Sequence, residues 1–232
     1  MASGPSFQST AFAGLLAMGA MSSAYAVPIA GTGTLGSFTG SVTYTAITST
    51  TATLNVSLTN TSPAANTGFI TAFVMNNPSN QITKITSFVD APGGGDFNLI
   101  LLTDGGVDGA PNGQFDFGAS TGSAFEGGPK PDLGIKVGAS DSFTFNVTGT
   151  NLAALTTNSF LDELSTGKGS GERFAAFDVR FRGFANEGSD KVIGTGTGIV
   201  TTPGTTLIPE PASMTLVGLG LAGLGLVRRR AK

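Results

Sequence analysis

Two of the most reactive residue types, Cys and His, are missing from this 232-residue sequence. The lack of Cys excludes disulfides, thiolate nucleophiles and Cys-ligated metal centres. The lack of His excludes Ser-His-Asp catalysis and removes the commonest ligand of zinc and copper. Trp is also missing and Tyr occurs twice, so aromatic platforms for stacking sugar rings are scarce. These absences predict a protein that is not an enzyme and that is stabilised by packing and backbone hydrogen bonds.

Charge is scarce and unevenly placed along the chain. Charged residues make up 12% of the sequence, against about 25% in a typical soluble domain, and none occurs before Lys84. The part between residues 27 and 208 has 8 basic and 14 acidic side chains, a net charge of −6. Because phosphate binding needs clustered Lys and Arg, nucleic acid is not expected as a partner. The surface is predicted to consist mainly of Thr, Ser, Asn and Gly.

The N-terminus, residues 1–26, has the pattern of a signal peptide. An apolar run over residues 11–21 is followed by Ala24-Tyr25-Ala26, a small-x-small cleavage pattern that places the cut before Val27. The run is too short to span a membrane, and no basic residue precedes it. The alternative is an apolar helix of the fold, which a high density of Ala and Gly would pack poorly.

The C-terminus, residues 208–232, has the pattern of a membrane segment. Pro209 and Pro211 disfavour helix on their N-terminal side, and the following residues 212–227 carry no charge. As a helix these 16 residues would reach about 24 Å, a little less than a hydrocarbon core of about 30 Å. A cationic cluster then ends the segment, and the positive-inside rule places it on the cytoplasmic side. The cluster is Arg228, Arg229 and Arg230.

Three features in order, namely Pro209-Glu210-Pro211, a Gly- and Leu-rich apolar stretch and the Arg cluster, make this C-terminus resemble a PEP-CTERM sorting signal. The resemblance covers about the last 25 residues. It implies a membrane-held precursor in a Gram-negative bacterium, whose tail is removed by exosortase, a membrane cysteine protease. It also implies an association with exopolysaccharide, biofilm or floc formation. The alternative is a plain single-span anchor in which the PEP triplet is coincidental.

Between the two ends, residues 27–200 show alternation of apolar and polar side chains, which is typical of half-buried strands. Segment 51–60 places Ala52, Leu54, Val56 and Leu58 on one face and Thr, Asn and Ser on the other. Segment 140–149 repeats the pattern, as does segment 177–182, where Asp178, Arg180 and Arg182 form the polar side of the strand. With Gly- and Pro-rich turns between the strands, an all-β antiparallel β-sandwich is predicted.

Other elements are predicted from shorter patterns. Further strands are expected at 37–46, 68–75, 82–89, 97–102, 114–117, 134–137 and 191–200, and helix only within 151–164. The polar side of segment 177–182, which contains Asp178, is predicted to be solvated. The glycine-rich, acidic stretch 103–132 is predicted to form surface loops, and residues 201–207 a short linker to the sorting signal.

A weak metal-site hypothesis concerns the same glycine-rich stretch. Asp104, Asp108, Asn112 and Asp116 recur every four residues, and oxygen ligands on a flexible loop are those that Ca²⁺ uses. The spacing differs from that of an EF-hand, and the alternative is a set of simply solvated acidic loops. No other cofactor is predicted.

The sequence therefore predicts an exported cell-surface or extracellular-matrix protein with a structural or adhesive role, associated with exopolysaccharide or biofilm. Exosortase is the expected processing partner, and the C-terminal helix holds the precursor in the membrane before cleavage. The alternative is a carbohydrate-binding β-sandwich module, with or without calcium. A hydrolase ranks third, because it would need two carboxylates across a cleft.

Overall fold

The computed structural model describes residues 24–91, 96–167 and 174–196. Within these ranges the chain forms thirteen strands, one short α-helix and four 3-10 helices. The strands are β1 (Val27–Thr32), β2 (Ser37–Ala46), β3 (Thr51–Asn60), β4 (Thr67–Met75), β5 (Ile82–Asp90), β6 (Asn98–Ile100), β7 (Val107–Asp108), β8 (Gln114–Phe115), β9 (Phe117–Ser120), β10 (Ile135–Lys136), β11 (Ser140–Gly149), β12 (Phe177–Phe184) and β13 (Asp190–Gly196). The helices are α1 (Thr157–Asp162) and 3-10 turns at Ala64–Asn66, Pro78–Asn80, Pro131–Leu133 and Leu152–Ala154.

Eleven of these strands form one continuous antiparallel sheet that folds back on itself. Its strand order is β5-β11-β3-β2-β1-β13-β12-β4-β9-β6, with β10 paired to β4. The strands from β5 to β1 are called here the front half, and those from β13 to β6, with β10, the back half. A short pairing of β1 with β13, at Ile29–Gly196 and Ala30–Thr195, joins the halves. The predicted antiparallel β-sandwich is confirmed, with one side closed by this junction.

The alternation read from the sequence decides which side of each strand is buried. Along β3 every even-numbered residue from Ala52 to Asn60 is buried and every odd-numbered residue is partly exposed. The register of β3 with β2 and β11 places Leu54 beside Tyr44 and Phe145, so the buried sides of neighbouring strands coincide. A one-residue slip would turn every buried side chain outward, which fixes the register.

Phenylalanine rings fill the space between the two halves. Phe73 on β4 lies 4.8 Å from Phe143 on β11 and 5.6 Å from Phe177 on β12, measured between ring centroids. Phe117 on β9 lies 5.6 Å from Phe145, and all five rings are fully buried. Because aromatic pairs at this spacing add about 0.5–1.5 kcal/mol each beyond their area burial, the contact holds the halves face to face.

One end of the sandwich is closed by α1 and the turn before it. Thr156 caps the helix in a capping box with Ser159. Tyr44 on β2 donates its hydroxyl hydrogen bond to the carbonyl of Leu152 at 2.8 Å, and its ring lies 5.1 Å from that of Phe160. The predicted helical stretch is thus confirmed only over Thr157–Asp162, because the preceding residues make a 3-10 turn.

Most strand predictions agree with the structure, and the exceptions have local reasons. Strand β2 has the predicted bounds, whereas β1 and β7 were not predicted. Strand β1 contains Pro28 and Gly31, which weaken a strand pattern, and β7 has two residues. The predicted strand at 191–200 is described only as far as Gly196.

The terminal predictions fall outside the described residues. These are most of the signal peptide, the linker and the whole sorting signal, including the predicted transmembrane helix. Among the residues that are described, no helix is long and apolar enough to cross a membrane.

Residues 103–128 are called here the cover segment. The prediction of surface loops at 103–132 is wrong for residues 112–121, which are all buried and contain β8 and β9. Strand β9 of the cover segment belongs to the back half, and the residues before and after β9 pack against the outer side of that half, where they form a second apolar cluster. The cluster contains Ala72, Val74, Ile100, Val107, Phe115, Phe125 and Ala175. The prediction that Asp178 is solvated is also wrong, because the cover segment lies over it and its exposure is 0%.

We expect Phe73→Ala to lower the free energy of unfolding by about 3–5 kcal/mol, since it leaves a cavity at the centre of the aromatic contact. Urea unfolding followed by circular dichroism measures this change. Phe174→Ala is the control, because Phe174 is 57% exposed and should change stability by less than about 0.5 kcal/mol. Equal effects of the two substitutions would contradict the central role of the contact.

Candidate functional site

The predicted terminal site residues are placed only in part. Ala24 and Ala26 are exposed and lie directly before β1, which begins at Val27. The first described strand therefore begins at the residue that follows the predicted cleavage position, and the cleavage itself stays a prediction. The sorting residues lie outside the described part of the chain. They are Pro209, Glu210, Pro211, Arg228, Arg229 and Arg230.

The three aspartates of the calcium hypothesis have different surroundings. Asp104 and Asp108 are exposed, whereas Asp116 is buried. The carboxylate of Asp116 accepts hydrogen bonds from the backbone N–H of Asn77 at 2.7 Å and of Gly105 at 2.6 Å. It thereby ties the start of the cover segment to the end of β4. Across residues 24–91, 96–167 and 174–196, no group of three or more Asp or Glu side chains is arranged to hold a metal ion. Calcium binding stays a prediction.

Backbone bonds attach the cover segment to the rest of the domain. Gln114 and Thr166 exchange N–H···O bonds of 2.6 and 3.0 Å, and Ser165 donates its hydroxyl to the carbonyl of Asn112 at 2.7 Å. From β13, the ammonium of Lys191 donates to the carbonyl of Ala110 at 2.6 Å. These bonds hold the segment as a defined layer and position its side chains.

An ion-pair cluster lies at one edge of this layer. Arg180 on β12 and Lys191 on β13 are directly opposite each other, and each contacts one carboxylate oxygen of Glu126 at 2.8 Å. Partial burial of Glu126 would by itself raise the pKa of its carboxyl. The hydrogen bond from Lys191 and the positive charges of both partners outweigh this, so the pKa is lowered. Glu126 therefore stays ionised and separates two like charges that would otherwise repel.

A buried carboxyl–amide pair lies under the cover segment. Asn112 donates its side-chain N–H to Oδ2 of Asp178 at 2.9 Å, and both residues have 0% exposure. Oδ1 of each residue has no hydrogen-bond partner. Burial raises the pKa of the Asp178 carboxyl to about 7, although Asn112 and Lys191 act to lower it. If Asp178 is protonated, its carboxyl has an O–H group that can donate a hydrogen bond. With the Oδ1 atom of Asn112 as the acceptor, neither Oδ1 atom would lack a partner.

A second buried carboxyl lies in the front half. Asp141 on β11 is 5% exposed, and burial raises the pKa of its carboxyl to about 7, with a further upward contribution from neighbouring Asp90. Neither carboxyl is placed where it could meet a dissolved substrate.

An open groove of about 800 Å³ lies beside the ion-pair cluster, between β6 and two parts of the cover segment. Its floor is apolar and includes the buried side chains of Ile100, Val107 and Phe125. Its other lining residues include Asp108 and Glu126, and exposed hydroxyls at Thr103 and Ser123. A concave apolar surface with a few polar groups is the usual form of a small-ligand site.

Sequence reasoning missed this site for a specific reason. The local pattern places Asp104, Asp108 and Asn112 in the calcium hypothesis, but it does not indicate that Asn112 contacts Asp178 or that Glu126 contacts Lys191. Asn112 and Asp178 are 66 residues apart, and Lys191 and Glu126 are 65 apart. A glycine-rich stretch that contains Phe115, Phe117 and Phe125 was the available signal, since three large apolar side chains are unusual in a solvated loop.

The comparisons with known proteins identify the C-terminus. Residues 207–230 match the family described as the PEP-CTERM protein-sorting motif. No curated protein and no solved structure matches the chain. The predicted sorting signal is confirmed: the chain is an exported protein that is targeted by exosortase, and its precursor has a C-terminal membrane anchor.

We expect Asp178→Asn to flatten the dependence of stability on pH. The pKa of Asp178 is about 7 in the fold against 3.8 as an ordinary Asp, so the folded state keeps a proton that the unfolded chain releases. Stability therefore falls as pH rises from about 4 to about 7 and remains lower above that, by roughly 4 kcal/mol. Asn carries no charge at any of these pH values, and this loss should disappear.

Urea unfolding at pH 5 and pH 8 tests this expectation. Asp104→Asn is the matched control, since Asp104 is exposed and its replacement should leave the difference between the two pH values as in the wild type. A smaller slope will remain in Asp178→Asn because Asp141 also has a raised pKa. A slope equal to that of the wild type would show that Asp178 is ionised in the folded protein.

Proposed function

We propose that the mature domain is a structural or adhesive protein of the cell surface or extracellular matrix, associated with exopolysaccharide or biofilm. The observation that carries this proposal is the sorting motif at residues 207–230, joined to a β-sandwich domain. The aromatic core and the attached cover segment make it a rigid body suited to a structural role.

We further propose that the domain acts by binding and not by catalysis. A glycoside hydrolase needs a carboxyl whose pKa is raised so that it can donate a proton at neutral pH. Among residues 24–91, 96–167 and 174–196, the two carboxyls with such a pKa are Asp178 and Asp141, which are buried at 0% and 5% exposure. Glu126, at the groove, has a lowered pKa and is a poor proton donor.

The alternative is a carbohydrate-binding module, and the groove favours it. A cleft of about 800 Å³ with an apolar floor and hydroxyl groups at its margin suits a short stretch of a glycan chain. Calcium would assist such binding if Asp104 or Asp108 held the ion. In that case added Ca²⁺ should raise the melting temperature of the domain.

The sorting route is tested by the intact mass of the protein from its native host and from a strain that lacks exosortase. We expect the wild-type product to begin near Val27 and to end near Pro209–Pro211, and this shortened form to be missing in the mutant. Co-fractionation of the shortened form with the exopolysaccharide would support the matrix role. A full-length C-terminus in both strains would reduce the segment to an ordinary anchor and contradict the proposal.

The groove is tested by Leu101→Asp, because Leu101 lines the groove and is 72% exposed. If the groove binds carbohydrate, Leu101→Asp should lower the affinity for the host's exopolysaccharide at least about tenfold, or about 1.4 kcal/mol. Affinity electrophoresis measures this change. Leu164→Asp is the control, since Leu164 is 56% exposed and outside the groove. Unchanged mobility of Leu101→Asp would exclude the groove as the binding site.

A further inference from the structure

The outer side of the front half has an unusual composition. Every second residue from Thr39 to Thr45 on β2, from Thr51 to Thr59 on β3 and from Ser140 to Thr148 on β11 is Ser, Thr or Asn. The register brings these residues side by side, for example Thr43, Asn55 and Thr144. All of them are partly or fully exposed. This surface is called here the polar face.

The polar face is almost without charge. The five strands of the front half contain three charged residues in the described structure, Lys84, Asp90 and Asp141. Asp141 is buried, and Asp90 pairs with inward-facing Phe143, so both lie on the core side. Lys84 lies on the edge strand β5, opposite Thr148. The ion pairs described above lie on the back half, so these pairs and the polar face are on opposite sides of the domain.

Hydrogen bonds between neighbouring strands order the polar face before any partner arrives. Thr144 donates to Asn55 at 2.8 Å, and Thr53 donates to Asn146 at 3.0 Å. Asn146 in turn donates to Ser87 on β5 at 2.8 Å. Each hydroxyl oxygen keeps a lone pair for a further bond. Because these side chains are already held, binding to them loses less conformational entropy.

We propose that the polar face is the surface with which the domain binds a neutral, hydroxyl-rich polysaccharide. This inference rests on the proposed matrix role and names the surface and the chemical class of its partner. Sugar hydroxyls both donate and accept, as do the groups of the polar face. A neutral polysaccharide needs no basic side chain on the protein that binds it. Because the outward residues of β2, β3 and β11 are uncharged, contact with them does not require the removal of water from a charged group.

The geometry of the sheet favours an extended polymer over a small sugar. Outward side chains repeat about every 6.8 Å along a strand, and strands lie about 4.8 Å apart. Single hydrogen bonds between neutral groups contribute about 0.5–1.5 kcal/mol net, and the described residues of β2, β3 and β11 present no aromatic ring outward. Useful affinity therefore needs many contacts made together, as a long chain laid across several strands provides.

The test uses variants of the full chain expressed in the native host and purified as the processed protein. Ser57→Glu with Thr45→Glu places two separated charges on the polar face, both away from Lys84. Thr103→Glu with Ser123→Glu is the matched control, because both residues are exposed hydroxyls that line the groove. The probes are the neutral and acidic fractions of the host's exopolysaccharide, separated by anion exchange, and the readout is affinity electrophoresis.

We expect the wild-type protein and the groove pair to bind the neutral fraction, and the polar-face pair to bind it at least tenfold more weakly. Unchanged melting temperatures show that the variants are folded, and Ser57→Glu alone serves if the double variant is not. Equal binding by the polar-face pair, or loss of binding by the groove pair alone, overturns this inference and leaves the matrix role intact.

Two other outcomes also overturn it. Stronger binding to the acidic fraction would show that the partner is a charged polysaccharide and not a neutral one. If the wild-type protein is a dimer and the polar-face pair is a monomer, the polar face binds a second copy of the chain and not a polysaccharide. If the wild-type protein binds neither fraction and is missing from the matrix, the proposed function fails together with this inference.

Discussion

Phe73 lies between strands from both halves of the sheet, 4.8 Å from Phe143 and 5.6 Å from Phe177. With no disulfide in the chain, this aromatic contact and the short pairing of β1 with β13 hold the two halves together, and other features depend on the aromatic contact. The position of β12 sets where Asp178 and Arg180 point, because side chains alternate along a strand. The position of β4 sets where the cover segment can pack. The groove and the polar face are thus consequences of how one aromatic cluster orients two half-sheets.

The charged groups on the back half of the sheet have specific partners. On the back half, Glu126 lies between Arg180 and Lys191. Beneath the cover segment, Asp178 is buried beside Asn112, where a neutral carboxyl is more stable than a charged one. The front half is left with hydroxyl and amide groups on its outer side. For an exported protein, this separation provides one surface that is almost uncharged and another that is apolar, concave and acidic at its margin.

Much of the fold could be predicted from local pattern. The alternation in 51–60 gave β3, and the register then followed from matching the apolar faces. The sorting motif could be recognised because its three parts are contiguous in sequence. The candidate site could not be predicted in the same way. Its groove is formed by β6 and by residues 103–108 and 122–126, and their glycine content predicted loops. Packing of Phe115 and Phe125 against β4 overrode that local preference.

The sequence by itself determined the secondary structure class, the address at the C-terminus and the side of each strand that is apolar, because each depends on neighbouring residues or on a period of two. The tertiary structure alone decided which polar side meets water. Segments 140–149 and 177–182 have the same alternation, yet Thr144 lies on an open face, whereas Asp178 lies under the cover segment. The difference arises because Asn112, which is 66 residues away in sequence, packs over Asp178, and no local pattern encodes a contact between such distant residues.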